Sequence, residues 1–453
     1  MMGSVQPDSR GQPVGLATKL MIGLGAALWL MGVIRIFWPD PLVVDILSAL
    51  LVCFVLLALP RTAWHTRLLL CALALATAGL ASVYDRWDAI LLGLAKGSVF
   101  PAFLATIVLL RATADQRPEI ATARRLFTAI DPRRQSGGLI IGSFLVGSIL
   151  QVGVFAILAP ILGRDATLEE RRRVFLVAMR GMALVPLWSP FVVGMAVATV
   201  YLPSVPLWQV MALGLFLGTL GILLSVTLFD RTGGPATIWR ALKTLVPIVP
   251  AISVAAFLVI GMTTISGYST LQSLVIIIPV PCLLAVAFAP GGSVPQALRN
   301  TAMGLSRIGN ETSILTFAMV LGITFETCLP AIGLLDILKS AVLSPTMIIF
   351  IVVMAMNIFG LLGVHSIVSG TILLVLFTSI PTGVADLVLL EAILIGWGLC
   401  TALSVGSLSI ATGAAMFDLK PVQGISVLNI VYVFVASALF AAILAAINPL
   451  LTG

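Results

Sequence analysis

Between Lys339 and Asp386 the chain carries no charged side chain, yet one of its two histidines, His365, stands in the middle of that interval. A single helix over residues 341–380 would be roughly 60 Å long at about 1.5 Å per residue, twice a bilayer core of roughly 30 Å. The stretch must therefore break. Gly360, Gly363 and the polar pair His365–Ser366 supply the place. A histidine in hydrocarbon is costly unless a partner or a polar cavity satisfies it, so this break is also the first candidate site.

The rest of the sequence belongs to the same class. It is 60% hydrophobic and 9% charged, with a mean hydropathy of +1.16, which fits an integral membrane protein. The apolar runs are continuous and not alternating, which argues against a transmembrane β-barrel. Candidate spans lie at about 18–38, 41–59, 66–83, 89–110, 175–201, 205–228, 244–263, 268–290, 311–332, 387–416 and 424–449. The first run lacks a small-residue cleavage site and reads as a retained helix after a polar leader. The net charge of +7 reads as orientation signal, not as a nucleic-acid surface. The five cysteines lie in or beside apolar segments without CxxC spacing and read as packing residues.

Residues 136–162, "SGGLIIGSFLVGSILQVGVFAILAPIL", are too few for two crossings. If they enter and return, the arginine-rich segment before them and Arg171–Arg173 after them share one side, as the positive-inside rule requires. The chain then has eleven spans, with the N-terminus cytoplasmic and the C-terminus extracytoplasmic. Arg86 and Lys339 fall outside and Arg35, Lys96 and Arg180 within spans, leaving 20 of 25 Lys and Arg cytoplasmic.

A faint internal repeat follows the same plan. Residues 98–110 correspond to 312–324, 150–155 to 362–367, and 188–194 to 403–409. Each half reads as span, re-entrant stretch, interrupted span, span; with five spans per half, the second is inverted. The divisions are 1–40 (leader and first helix), 41–228 (first repeat, hairpin about 136–162), 229–243 (cytoplasmic connector) and 244–453 (second repeat, hairpin about 341–380). The expected fold is an all-α polytopic membrane protein of about eleven transmembrane helices plus two re-entrant hairpins. Inverted repeats with broken helices are a transporter signature, with the binding site near the midplane.

Four places hold the candidate residues. The first hairpin tip has Gln151 and Gly153, and the amide of Gln151 demands partners at membrane depth. The second tip has His365, Ser366 and Ser369. The fifth span is interrupted at "LVPLWSPFVVG", where Pro186 and Pro190 free backbone carbonyls and Trp188 and Ser189 face the break. The tenth holds Thr401, Ser404, Gly406, Ser407 and Ser409, either as ligands or as small residues that let helices pack. Arg180 either clamps a carboxylate, sulfonate or phosphate, pairs with Glu391, or snorkels to the surface. Glu391 and His365 are the candidate coupling-ion residues. Asn310 and Glu311 read as a cap and a surface partner of Arg307.

Two inverted halves, each with a hairpin followed by a broken helix, resemble the ion transporter superfamily of divalent anion/sodium symporters, arsenite permeases and tripartite-transporter large subunits. The likeness covers about 41–449, and the hairpin "SFLVGSILQVGVFAILAPI" follows its pattern of polar or small tip residues, apolar residues, then Pro. The tips read "LQVGVF" and "GVHSIVSG" where the divalent anion symporters carry Ser-Asn-Thr, so dicarboxylate and sodium specificity do not carry over. The resemblance implies a secondary transporter in a bacterial inner membrane, with a scaffold able to form a homodimer. The expected solute is a small organic anion, coupled to Na+ or H+, with no other cofactor. The alternatives are a cation/proton antiporter or the membrane subunit of a binding-protein-dependent system. HExxH, GxSxG with a suitable His, CxxC–His and Walker A patterns are absent, so an enzyme is not expected.

The hairpin reading is checked by cysteine labelling. Cysteines placed in 112–134 and in 163–173 are expected to react from the same, cytoplasmic, side; reaction from opposite sides overturns it.

Overall fold

The computed structural model describes residues 15–119, 122, 136–163, 165–229, 249–334, 336 and 343–452. The polar leader up to residue 14 and all of the 229–243 connector except Phe229 lie outside them. The described chain is helical throughout: α1 Leu16–Phe37, α2 Pro41–Ala58, α3 Trp64–Tyr84, α4 Asp88–Gly97, α5 Phe100–Ala114, α6 Ser136–Leu150, α7 Val154–Leu158, α8 Leu168–Ala183, α9 Val193–Tyr201 and α10 Leu207–Leu224. After the undescribed residues follow α11 Val249–Ser266, α12 Thr270–Ile277, α13 Pro279–Ala287, α14 Val294–Leu305, α15 Gly309–Ile332, α16 Pro345–Leu361, α17 Ser366–Thr378, α18 Asp386–Cys400, α19 Leu408–Met416 and α20 Val427–Thr452.

Among the described residues nine helical segments are long and apolar enough to cross a membrane. They include 136–161, read above as a hairpin. They omit 175–201 and 387–416, which are each divided into two helices, and 244–263, of which only the part from Val249 is described. The divisions have local causes. Pro186 and Pro190 stand in the gap between α8 and α9, and Gly406 in the gap between α18 and α19. Helix starts follow their caps: Asp40 accepts from the Leu42 N–H, Thr167 and Glu170 form a capping box, and Ser344 accepts from the Met347 N–H ahead of Pro345 at the first turn.

Burial sorts the helices. Every residue of α18 from Val388 to Cys400 is buried, as is nearly all of α5 and α6. In α1, α2, α3 and α10 one stripe is buried while Leu30, Leu56, Leu75, Val83 and Phe216 are exposed. A helix apolar all round belongs inside, and an apolar outer face at this scale belongs against lipid. The in-span cation Arg35 is satisfied within the bundle, donating to Ala95 O at 2.6 Å and to Ser98 Oγ.

The order of contacts gives helix directions. Ile140 and Ser143 meet Gly181, Gly147 meets Met182 and Val185, and the Ser148 carbonyl accepts from Ser189 Oγ at 2.8 Å. Positions advance together along both segments, so α6 runs parallel to α8. The chain joining them turns at Gln151, a non-glycine residue at φ 49°, and comes back through α7, whose Phe155 ring lies 5.2 Å from that of Phe175. The second half does the same. Pro345 meets Gly383, Met356 meets Gly396 and Gly360 meets Cys400, so α16 runs parallel to α18. Between them α17 runs the other way, with Gly370 against Trp397 and Met356. Gly363, at φ 86°, makes the turn. In the two interrupted segments, Ala183 and Pro186 lie against Gly398 while Phe175, further back, lies against Gly413, so these segments cross antiparallel.

The closest approach is at Gly214 of α10, where an added Cβ would stand 1.8 Å from the Leu187 carbonyl oxygen, whereas at Gly261 of α11 it would meet nothing within 4 Å. Gly214→Ala is expected to lower the melting temperature of the purified protein by several degrees, an overpacking cost of about 1–3 kcal/mol. Gly261→Ala should leave it unchanged or slightly raised. Equal melting of the two variants would show that α10 does not press on the α8–α9 break.

Candidate functional site

One cavity gathers the second half's candidates. His365 and Ser366 of the α16–α17 turn, and Thr401, Ser404, Ser407 and Ser409 of the α18–α19 break, line it together with Asn310 and Glu311 of α15, Val193 of α9, and Trp397 and Cys400 of α18. Its volume is about 140 Å³, enough for several waters or a small solute.

Most of the lining residues sit at helix beginnings, while Trp397, Cys400 and Thr401 belong to the C-terminal end of α18. Val193 opens α9, Gly309–Glu311 open α15, His365 caps α17 and Ser407 caps α19. His365 Nδ1 accepts from the Ile367 N–H at 3.3 Å, and in that role the neutral ring carries its proton on Nε2. Ser407 Oγ accepts from the Ile410 N–H at 3.2 Å and donates to the Thr401 carbonyl at 2.8 Å. Thr401 Oγ1 donates to the Gly398 carbonyl at 2.7 Å, closing the end of α18. Both cap residues thus hold their breaks in shape as well as lining the space. The positive ends of four helix dipoles converge on one small volume, with the C-terminal end of α18 in the same wall.

The first half's candidates lie beside this cavity, not in its wall. Gln151 donates through its amide to the Phe191 carbonyl at 2.5 Å, and its side-chain oxygen accepts from Arg111 Nη2. Ser189 Oγ donates to the Ser148 carbonyl and accepts from the Phe191 N–H at 3.3 Å. Together they clamp the first turn onto the α8–α9 break, two residues before Val193. The Trp188 ring packs 5.4 Å from Phe144, and its indole N–H is buried without a hydrogen-bond partner. Gly153 continues the turn after Gln151, and Gly406 sits in the α18–α19 break between lining residues without lining the cavity itself.

Arg180 and Glu391 stand elsewhere. Arg180, 2% exposed, donates through Nε to Asn429 Oδ1 at 2.8 Å and through Nη1 to Ser225 Oγ at 3.2 Å. Its guanidinium carbon lies 5.6 and 5.7 Å from the ring centres of Phe229 and Tyr432. It joins α8 to α20 and to the end of the α10 segment. Glu391 is fully buried in α18 next to Gly214. Neither of its carboxyl oxygens has a hydrogen-bond partner, so the Arg180–Glu391 pair considered from the sequence is not formed.

Glu311, read above as a surface partner of Arg307, and Arg111, counted above with the cytoplasmic cations, belong to the site. Glu311 lines the cavity, and its Oε2 is buried without a hydrogen-bond partner. Arg111, at the end of α5, has its Nε buried without one and lies within electrostatic range of Glu311 and Asp115. Their signal in the sequence was weak: each is a charge at the last or first turn of an apolar run, where surface location is the ordinary reading. Among the described residues no group of three or more His, Cys, Asp or Glu could hold a metal ion.

Arg180→Gln is expected to cost about 3 kcal/mol, since it removes charge-assisted hydrogen bonds in a buried setting, and to lower the melting temperature with Asn429→Ala following in the same direction. An Arg180→Gln protein with unchanged melting would return Arg180 to the list of ligand-binding groups.

Compared with protein-family models the sequence matches none, and it matches no curated protein.

Proposed function

We propose that the chain is a secondary active transporter of a small organic anion, driven by protons or sodium. The observation that carries this reading is the convergence of four helix N-termini on one cavity without a lysine or arginine in its wall. Each helix start presents roughly half a positive charge, and the balance of four starts against the single C-terminal end of α18 in the same wall favours an anion over a cation. The same ends argue against a cation/proton antiporter. A volume of about 140 Å³ favours short carboxylates over nucleotides or sugars.

The architecture supports eleven spans with two re-entrant hairpins in inverted repeats. In each half a helix that leads into a turn runs parallel to the interrupted segment that follows, and the segment between them runs back. Such a pair of hairpins and broken helices can move as one body, about 98–202 with 312–417, against α1–α3, α10 and α20, which is an elevator-type mechanism within the ion transporter superfamily. The lysine and arginine distribution supports an inner-membrane protein with a cytoplasmic N-terminus.

The test is uptake into proteoliposomes of labelled pyruvate, lactate, succinate and sulfate, with an imposed proton or sodium gradient. At least one of these anions is expected to accumulate against its gradient. His365→Ala should raise the half-saturating concentration about tenfold, while His365→Asn, which keeps a helix cap, separates loss of the ligand group from loss of the turn. Accumulation of none of the four under either gradient overturns the reading.

A further inference from the structure

Glu311 puts a carboxylate where helix ends favour an incoming anion. It also borders a second cavity, of about 450 Å³, which reaches Arg61, His65, Ser306 and Arg307. The two cavities share Asn310, Glu311 and Leu408, so Glu311 stands at the neck between a vestibule with basic side chains and the inner space. An anion drawn in by Arg61 and Arg307 meets the carboxylate before it meets the helix ends.

Resting on the transport reading above, we propose that Glu311 is the proton-operated gate of this site. Ionised, it occupies the positive convergence of helix ends beside Arg111 and keeps the inner cavity closed to anions. One proton from water in the vestibule binds at its free Oε2, the carboxyl becomes neutral, and Arg111 and the helix ends are released for the anion. Proton and anion enter together, so for a monovalent anion the charge of the cavity is the same with Glu311 ionised and empty as with Glu311 protonated and the anion bound. The charged and titratable groups facing Glu311 are Arg111 from α5, His365 from the turn before α17, Cys400 from the end of α18, Arg61 from the α2–α3 link, His65 from the first turn of α3 and Arg307 from the link before α15; Asp115 stands behind Arg111. Glu391 has no part in this step because it does not line either cavity.

The gate is read with two thiol reagents of opposite charge, a sulfonatoethyl and a trimethylammonioethyl methanethiosulfonate, on a chain whose five cysteines are replaced and which carries Ser409→Cys in the inner cavity. The ratio of anionic to cationic reaction rate cancels the thiolate fraction. It is expected to rise about tenfold between pH 8 and pH 5.5. Glu311→Gln should hold it high at both pH values, and His365→Gln should leave the rise in place. Ser306→Cys in the vestibule serves as the control for a folded, accessible protein. Persistence of the rise in Glu311→Gln, its loss in His365→Gln, or silence of Ser409→Cys beside a reactive Ser306→Cys each overturn the gate. In the chain with native cysteines, pH-difference infrared spectra read the same proton: a carboxyl C=O band should be present in the parent and missing in Glu311→Gln, and an unchanged spectrum overturns the proposal. A protein that gates in this way yet accumulates none of the four anions would sink the transport reading alone.

Discussion

A backbone N–H or C=O inside hydrocarbon has no water to turn to, and leaving one unpaired costs several kcal/mol. A helix can be interrupted at that depth only where the protein itself surrounds the gap. Among the described residues the interruptions at 151–153, 184–192, 362–365 and 401–407 lie beside α6, α9 and α18, which are almost wholly buried. Side chains take over what the helices give up: Gln151 and Ser189 at the first pair, His365, Ser407 and Thr401 at the second. The lipid-facing helices α1, α2, α3 and α10 are, by contrast, continuous.

Polar groups in the interior fall into two kinds. Arg180 is saturated: two hydrogen bonds and two aromatic rings surround its guanidinium, and Asn429 passes on a further bond to the Leu176 carbonyl. Such a network fixes the position of α8 against α20 and has little left to offer a ligand. Glu311, Glu391 and Arg111 keep unpartnered polar atoms. Glu391 is sealed between α18 and the α10 contact, while Glu311 opens onto two cavities. Burial alone therefore does not distinguish a structural charge from a working one; unused hydrogen-bonding capacity next to open space does.

Much of the fold was legible in the sequence because hydropathy and helix-breaking residues are local. The division of 175–201 at its prolines, that of 387–416 at its Gly/Ser run, and the break at Gly363–His365 could each be read from a few neighbouring letters. The position of Arg180 was not legible, since its partners Asn429 and Ser225 are distant in the chain and nothing local separates an arginine that binds from one that braces. Glu311 and Arg111 were missed for a related reason. A charge at the end of an apolar run looks solvated until the fold carries both run ends into the same interior.

The wall of the inner cavity derives its polarity from the ends of α9, α15, α17 and α19. Peptide dipoles neither titrate nor disappear when a side chain is exchanged. On the function proposed above, the attraction for negative charge is thus encoded in topology, Glu311 modulates it, and the other lining side chains are left free to set size and shape. If the pocket takes small acids as proposed, single substitutions at positions such as Ser404 or Ile367 would move it from one acid to another without loss of its field, so selectivity would be far more mutable than charge preference.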